Sequence, residues 1–120
     1  MPYVDGFIVA VPKKNLTAYV RMAKKAGKVW REYGALDYRE WIADDVKVGK
    51  RTSFPRSVKL KPGETVVFSW ITYRDRETRD AVNKKVMADP RLKGADMPFD
   101  GKRMIYGGFT TLLRASDVVG

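Results

Sequence analysis

The 120-residue sequence contains neither cysteine nor histidine. Without cysteine the chain has no disulfide and no thiol nucleophile, and without histidine it lacks the commonest general base and zinc ligand. Ser53 and Ser69 have no imidazole to activate them, so serine hydrolysis is not expected. We predict neither a metal nor a cofactor.

Long apolar runs are also absent from the sequence. No segment approaches the roughly 20 apolar residues of a membrane-spanning helix, and the first residues show no basic and apolar signal pattern. We therefore expect a cytoplasmic protein that makes no membrane contact. A glycine-rich phosphate-binding loop is missing too, because Gly107 and Gly108 precede no predicted helix.

Acidic residues are few, at 14 against 24 lysines and arginines, and the net charge is +10. Residues 1–61 carry +8 of this charge and residues 62–120 carry +2. Such an excess attracts polyanions and acidic ligands without specifying one. The simpler interpretation is a soluble basic surface, since the basic residues are scattered over helices and loops.

The clearest strand covers residues 65–73, with the sequence T-V-V-F-S-W-I-T-Y. It is rich in β-branched and aromatic residues and follows the turn signal Pro62-Gly63. Alternate side chains point to opposite faces, and both faces of this strand are largely apolar. This pattern predicts a central strand that is covered on both sides.

The remaining elements follow from periodicity and from turn residues. Apolar residues at three- and four-residue spacing predict an amphipathic helix that begins with Asn15 as its N-cap and ends at Gly34. Asp75 is expected to cap a second helix. The predicted strands cover residues 3–11, 36–43, 65–73 and 103–113, the helices cover 15–33 and 75–88, and residues 44–62 and 91–102 are irregular.

This order, β-α-β followed by β-α-β, predicts one α+β domain over residues 1–120 with the ferredoxin-like split motif: a four-stranded antiparallel sheet with both helices on one face. The right-handed crossover rule places the first and third strands at the centre. Two helices cover only one face of such a sheet, and the other face remains apolar. We therefore predict a homodimer in which two sheets face each other.

Several motifs resemble a known family: the opening M-P-Y-V-D-G-F-I-V-A-V-P-K-K-N, the central K-P-G-E-T-V-V-F-S-W-I and the closing M-P-F-D-G-K-R-M-I-Y-G-G-F. They are similar to the YbaA-like family of small bacterial proteins, a domain of unknown function, and the resemblance covers nearly the whole chain. It implies the dimeric α/β-barrel form of the ferredoxin-like fold. It implies no established activity, so it leaves open whether the protein is an enzyme.

A candidate ligand site follows from strand parity, on the assumption that six polar residues share one face of the sheet. A carboxylate and guanidinium cluster in a partly closed cavity would shift pKa values and bind a polar or anionic small molecule. The alternative is a buried ion-pair network that sets the register of the dimer. The six residues are Asp5, Asp37, Arg39, Ser69, Tyr73 and Arg103, with Trp41 and Phe109 beside them.

A second candidate combines the two irregular segments. Phe54 and Arg56 in one segment and Phe99 in the other would form the lid of a pocket and clamp a carboxylate or phosphate. The alternative, which we favour, is that the two phenylalanines anchor long loops to the body of the protein or to a partner subunit.

Two weaker patterns remain. Asp44 and Asp45 would bind Mg²⁺ together with Asp37 or Glu40, but paired acids at a strand end are more often a solvated turn. Basic residues with nearby aromatics superficially match a nucleic-acid surface. However, the helical spacing of Trp30 and Tyr33 directs both towards the core.

Three function classes therefore remain. The favoured one is a homodimeric small-molecule-binding protein, with or without a cofactor-independent enzymatic activity. The others are an RNA or polyanion binder and a purely structural or interaction protein. An enclosed cavity lined by polar residues would favour the first class.

Overall fold

The computed structural model of the protein describes residues 1–118. The four predicted strands and two predicted helices form close to their predicted positions. A 3₁₀ turn at Lys13–Asn15 precedes the first helix, and a second at Gly101–Arg103 precedes the last strand. In chain order the elements are β1 (Tyr3–Pro12), α1 (Leu16–Tyr33), β2 (Asp37–Ile42), α2 (Phe54–Ser57), β3 (Glu64–Tyr73), α3 (Arg76–Ala88), β4 (Ile105–Thr110) and α4 (Ala115–Val118).

The four strands form one antiparallel sheet in the order β2-β3-β1-β4. This confirms the predicted α+β class and the ferredoxin-like order, with the first and third strands at the centre. The pairing of β1 with β3 is the longest ladder, running from Tyr3 opposite Tyr73 to Pro12 opposite Glu64. The sheet remains open at the outer edges of β2 and β4.

Three local predictions need correction. Asn15 occupies the N-cap position of α1 as predicted, but its side chain makes no capping hydrogen bond. Its amide instead donates to the Pro98 carbonyl at 3.1 Å, because the chain enters the helix through a 3₁₀ turn. The segment predicted as irregular contains the short helix α2, which Ser53 caps by accepting from the Arg56 amide. The last strand is shorter than predicted and begins only at Ile105.

Two other helix signals are confirmed. The Asp75 carboxylate accepts a hydrogen bond from the Thr78 amide at 2.7 Å, as an N-cap should. Gly34 ends α1 with a φ of 121°, a value that side chains disfavour.

One face of the sheet, here called the helix face, packs against α1 and α3. The helices contribute Tyr19, Ala23 and Val29 from α1 and Val82 and Val86 from α3, all of them buried. Trp30 and Tyr33 pack against the same core, which confirms their predicted inward direction. The sheet contributes buried Val9, Val11, Val67, Ile71 and Tyr73.

The opposite face, here called the open face, is covered at one end only. Val58, next to α2, is 1 % exposed and packs on Ala10 and Val66. The rest of the open face presents large apolar side chains to solvent: Trp41, Phe68, Ile105 and Phe109.

A buried ion pair ties α3 to the central strand β1. The Asp5 carboxylate, on the helix face, accepts from Arg79 at 2.9 to 3.1 Å and weakly from Asn83 at 3.5 Å. Arg79 also lies over the Tyr3 ring, 5.2 Å from its centroid. Because Asp5 is buried, removing its partner would leave an uncompensated charge in the core.

Gly108 on β4 makes room for this ion pair, and its replacement by alanine tests the packing. A Cβ at this position would overlap the Tyr3 hydroxyl and the Arg79 guanidinium. We expect Gly108→Ala to lower the free energy of unfolding, measured in urea, by about 1–3 kcal/mol, as overpacking does. Gly101→Ala is the matched control, since nothing lies within 4 Å of a Cβ there. Equal effects of the two variants would contradict the close packing at Gly108.

Candidate functional site

Of the six polar residues predicted to share one sheet face, five are divided between the two faces and the sixth, Arg103, lies outside the strands. Asp5, Ser69 and Tyr73 lie on the helix face, whereas Asp37 and Arg39 lie on the open face, opposite Thr72 and Trp70. The assumption of a common face was therefore wrong. The two groups are separated by the register of β2 against β3, which determines which side chains of β2 point to which face. The sequence of β2 alone does not reveal that register.

Tyr73 and Asp5 belong to the network that holds α3 in place. The Tyr73 hydroxyl donates to Asn83 Oδ1 at 3.2 Å, and the Trp30 indole donates to the same oxygen at 3.2 Å. Burial, followed by the nearby Asp5 carboxylate, raises the pKa of Tyr73. These groups are paired with one another within one chain and connect α3 to the sheet, and the pairing involves Arg79, which sequence reasoning missed. A role of such ion pairs in setting the register of a dimer stays a prediction.

Asp37, Arg39 and Trp41 form a small cluster on the open face. Arg39 Nε lies 2.9 Å from the Asp37 carboxylate, and the guanidinium is 5.9 Å from the Trp41 ring centroid. Desolvation opposes ionisation of Asp37, but the hydrogen bond from Trp70 and the charge of Arg39 hold its pKa below the usual value. This cluster is exposed and adjoins the aromatic surface of the open face.

Arg103 does not lie on a strand and contacts neither polar cluster. Its guanidinium donates to the Glu64 carboxylate at 2.6 and 2.8 Å and to Asp100 at 3.1 Å. It also reaches the carbonyls of Val58 and Lys59. Its hydrogen bond lowers the pKa of Glu64. Arg103 therefore fastens the loop before β3 to the loop before β4.

The two irregular segments do not form a common lid. Phe54 packs beside Phe68 on the open face, with ring centroids 6.1 Å apart. Phe99 packs edge-on against Tyr19 on the helix face at 5.8 Å. Arg56 donates to the carbonyls of Val48 and Gly49, so its guanidinium holds its own loop. The placement of the two rings agrees with the anchoring alternative.

A groove lies on the helix side of the sheet, between α1 and the edge strand β2. It has a volume of about 740 Å³ and is broadly open to solvent. Its walls are largely apolar, and several of the lining side chains, Val20, Leu36 and Ile42 among them, are about half exposed. The other lining residues are Leu16, Tyr19, Ala23, Lys24, Gly27, Lys28, Arg31, Asp37, Tyr38, Glu40, Trp41 and Val67.

Glu40 is the polar centre of this groove. Its two carboxylate oxygens accept from the Tyr19 hydroxyl at 2.7 Å and from the Tyr38 hydroxyl at 2.8 Å. Burial raises the pKa of Glu40, although the hydrogen bonds from Tyr19, Tyr38 and Ser69 oppose that rise. Burial and the neighbouring carboxylate also raise the pKa of both tyrosines, so that their hydroxyls remain donors.

Gly27 determines how closely α1 approaches β2. A Cβ at this position would lie 2.8 Å from Cδ1 of the Tyr38 ring. The glycine therefore lets the ring lie flat under the helix, from where its hydroxyl reaches Glu40. The Trp30 ring lies 6.4 Å away and supports Tyr38 from the core side.

Sequence reasoning placed Glu40 only in a Mg²⁺ hypothesis. Within residues 1–118, no group of three acidic side chains is arranged to hold a metal ion. The signal that would have found the site is the parity of β2: Tyr38, Glu40 and Ile42 share a face, and Glu40 lies opposite Ser69 in the sheet. Its partner Tyr19 comes from α1, a contact that no local pattern shows.

The basic residues do not converge on a single site. The lysines and arginines of α1 are exposed along its length, and three of them, Lys24, Lys28 and Arg31, line the groove. Trp30 and Tyr33 pack inward and are unavailable for base stacking. Among the described helices, none is both long enough and apolar enough to cross a membrane.

Comparison with known proteins identifies the family. The model of a family described as "Protein of unknown function (DUF1428)" matches residues 2–101. The chain belongs to this family. The protein YbaA of Escherichia coli K12, described as uncharacterized, is 55% identical over 115 residues, covering 94% of this chain and 98% of the relative. A relative from Shigella flexneri shows the same identity and coverage. The predicted YbaA-like resemblance is thereby confirmed.

Two solved structures share the fold of this DUF1428 protein at low sequence identity. Rv0793 from Mycobacterium tuberculosis is 15% identical with a TM-score of 0.56, over 96% of this chain and 99% of that one. A dimeric ferredoxin-like protein from an uncultured marine organism is 12% identical with a TM-score of 0.58, over 95% and 99%. At these identities the likeness supports the fold.

The raised pKa of Glu40 predicts a pH-dependent effect of Glu40→Gln. Folded Glu40 keeps its proton to higher pH than the unfolded chain, so wild-type stability is lost as pH rises above the ordinary value of 4.5 and through the folded pKa. Glutamine does not ionise. We expect the variant to gain stability relative to wild type as the pH rises above 4.5 and to keep that gain once wild-type Glu40 is ionised. Each unit by which the folded pKa is raised contributes at most about 1.4 kcal/mol, and the partial exposure of the groove reduces this figure.

Urea unfolding at a series of pH values measures this difference. Met87→Gln, at an exposed position on α3, is the control, because neither side chain ionises and the change should add no trend with pH. A difference between Glu40→Gln and wild type that stays constant with pH would mean that the Glu40 carboxyl is as well solvated in the folded as in the unfolded chain.

Proposed function

We propose that this DUF1428 protein is a homodimer that binds a small molecule in the groove between α1 and β2. The observation that carries the proposal is the groove itself, with apolar walls from two elements and the Tyr19–Glu40–Tyr38 centre at its base. Ligand pockets have this character: concave, mostly apolar, with a few converging polar groups, and about 300–1,000 Å³ in volume.

The Glu40 centre has two uses in this proposal. It joins a tyrosine of α1 to a tyrosine of β2, so both walls of the groove are held at a fixed separation. It also places a carboxyl with a raised pKa beside the bound molecule. A cofactor-independent reaction in this groove would take its proton donor or acceptor from Glu40, because burial raises the pKa of this carboxyl and lets it hold a proton at higher pH than an ordinary glutamate.

The homodimer is proposed from the open face. Trp41 and Trp70 lie with ring centroids 5.2 Å apart, and Phe68 meets Trp70 at 5.7 Å, so the aromatic residues form one continuous surface. Trp41 and Phe68 are 44% and 37% exposed, and Phe109 across the sheet is 61% exposed. An apolar surface of this kind marks an interaction site. A protein with the same fold, from a marine organism, is described as dimeric, which supports a second copy as the partner.

The two proposed surfaces are compatible. The Tyr38, Glu40 and Ile42 side chains of the groove project from the helix face, whereas the aromatic surface lies on the open face. Trp41, on the edge strand β2, borders both surfaces. A dimer formed by two open faces therefore leaves the mouth of each groove on the outside.

Phe68→Arg tests the dimer. Phe68 lies in the middle of the aromatic surface, and a buried guanidinium without a partner would oppose the contact of two open faces. We expect wild type to sediment as a dimer and this variant to sediment as a folded monomer. Met87→Arg, at an exposed apolar position on α3, adds the same charge and should stay dimeric. Loss of the dimer in both variants, or in neither, would contradict the open-face interface.

Val20→Trp tests the groove. Val20 lines the groove yet is 49% exposed, so a larger side chain is tolerated by the fold and fills the space. In an NMR screen of small apolar molecules, we expect the amides of α1 and β2 to shift, and the variant to weaken binding at least tenfold. Met87→Trp is the control on α3. Ligands that shift only open-face amides, or a library that shifts none, would contradict the groove as the binding site.

A further inference from the structure

The two ends of the groove differ in character. At one end the lining side chains are Leu16, Val20, Ile42 and Val67, all apolar. At the other end, near the C-terminus of α1, the lining side chains include Lys24, Lys28 and Arg31. The Glu40 centre lies between the two ends, because Tyr19 precedes the cationic residues along α1 and Glu40 precedes Ile42 along β2.

The groove is elongated. It follows α1 from Leu16 to Arg31, which at 1.5 Å per residue is about 22 Å of helix. It follows β2 from Leu36 to Ile42, which is about 20 Å of strand. The two walls therefore run alongside each other for a similar distance, and the space between them suits a long, narrow molecule.

The positive charge at one end is available to a ligand. Among residues 1–118, Lys24 and Lys28 have no acidic partner within ion-pair distance, and both are exposed. They are four residues apart, so their side chains lie on the same side of the helix. The acid at this end, Asp37, is already paired with Arg39 on the other face of the sheet.

The end of α1 does not cancel this charge. Helix carbonyls at a C-terminus carry partial negative charge. Here the Gly34 and Ala35 amides donate to the last turn, and Arg31 Nη1 donates to the carbonyls of Ala35 and Leu36. The Trp30 and Arg31 carbonyls and those of Ala35 and Leu36 therefore accept hydrogen bonds within the chain, and the two lysines remain to face a bound anion.

The middle of the groove can accept an aliphatic chain. Both Glu40 oxygens already accept a tyrosine hydroxyl, and no buried side-chain polar atom in the described chain lacks a partner. A hydrocarbon that covers the Tyr19 and Tyr38 rings therefore leaves no polar group newly unpaired. Val20 and Ile42, each about half exposed, would be removed from water at the same time.

We propose that the ligand of this groove is a free, single-chain anionic amphiphile of the long-chain carboxylate class. This rests on the proposed function and names the ligand class of the same site. The carboxylate lies between Lys24 and Lys28, and the hydrocarbon runs over Ala23 and Val20 to Leu16. The two lysine ammonium groups act as compact positive charges that attract the carboxylate. The apolar walls contribute to the free energy of binding by burying the hydrocarbon chain.

The experiment compares three probes with the same chain: dodecanoate, dodecanol and dodecyltrimethylammonium, each titrated below its micelle concentration and followed by calorimetry and amide NMR. We expect dodecanoate to bind most tightly and to shift amides along α1 and β2. Lys24→Gln/Lys28→Gln should weaken dodecanoate at least tenfold, which is about 1.4 kcal/mol, and leave dodecanol unchanged. Lys84→Gln/Lys85→Gln, on exposed α3, removes the same charge and should change neither.

The outcomes separate this inference from the proposed function. If the three probes bind the groove equally and the double lysine variant has no effect, the anionic class is wrong while small-molecule binding stands. The same holds if the probes fail but other small molecules bind the groove. If nothing binds there, both proposals fail. A last outcome is that the protein binds phosphatidylglycerol vesicles through the two lysines but does not bind free dodecanoate. The partner of this groove would then be a membrane surface, and the proposal of a free amphiphile would be wrong.

Discussion

The pairing of β3 with β1 is the constraint on which the rest of the structure depends. The two strands match over their whole length, and this fixes which side chains of β3 face the helices. Val67, Ile71 and Tyr73 are buried under α1 and α3, while Phe68 and Trp70 point away from them. Side chains along a strand alternate between the two faces, so a register shift of one residue would move the buried residues to the open face. Burial of the helix face therefore stabilises this register.

The charged residues of the chain are distributed in small, self-contained groups around this core. Asp5 with Arg79 fastens α3, Arg103 with Glu64 fastens two loops, and Asp89 with Arg91 and Tyr33 joins the ends of α1 and α3. In the last group the hydrogen bonds from Arg91 and then Tyr33 hold the pKa of Asp89 below its usual range. Arginine suits these roles because its planar donors satisfy a carboxylate from two directions. These ion pairs connect secondary-structure elements. The carboxyl of the groove, in contrast, lies between apolar walls.

Glu40 differs from the other partly buried acids in its partners. Asp5 and Glu64 accept from guanidinium groups, whereas Glu40 accepts from two neutral tyrosine hydroxyls. The Arg103 guanidinium lowers the pKa of Glu64. Neutral donors compensate burial less than a positive charge does, and the pKa of Glu40 is accordingly raised. A carboxyl in this setting at the base of an open groove is a feature that packing alone does not require.

The sequence by itself determined the elements, their order and therefore the ferredoxin-like fold, because β-branched runs, helical spacing and turn residues act over a few neighbouring positions. It also determined that one sheet face would remain apolar, as Phe68 and Trp70 already show. Only the tertiary structure decided the site. The register of β2 separated Asp37 from Asp5, and the approach of α1 at Gly27 brought Tyr19 to Glu40. Both depend on contacts between distant segments, whose geometry no local pattern encodes.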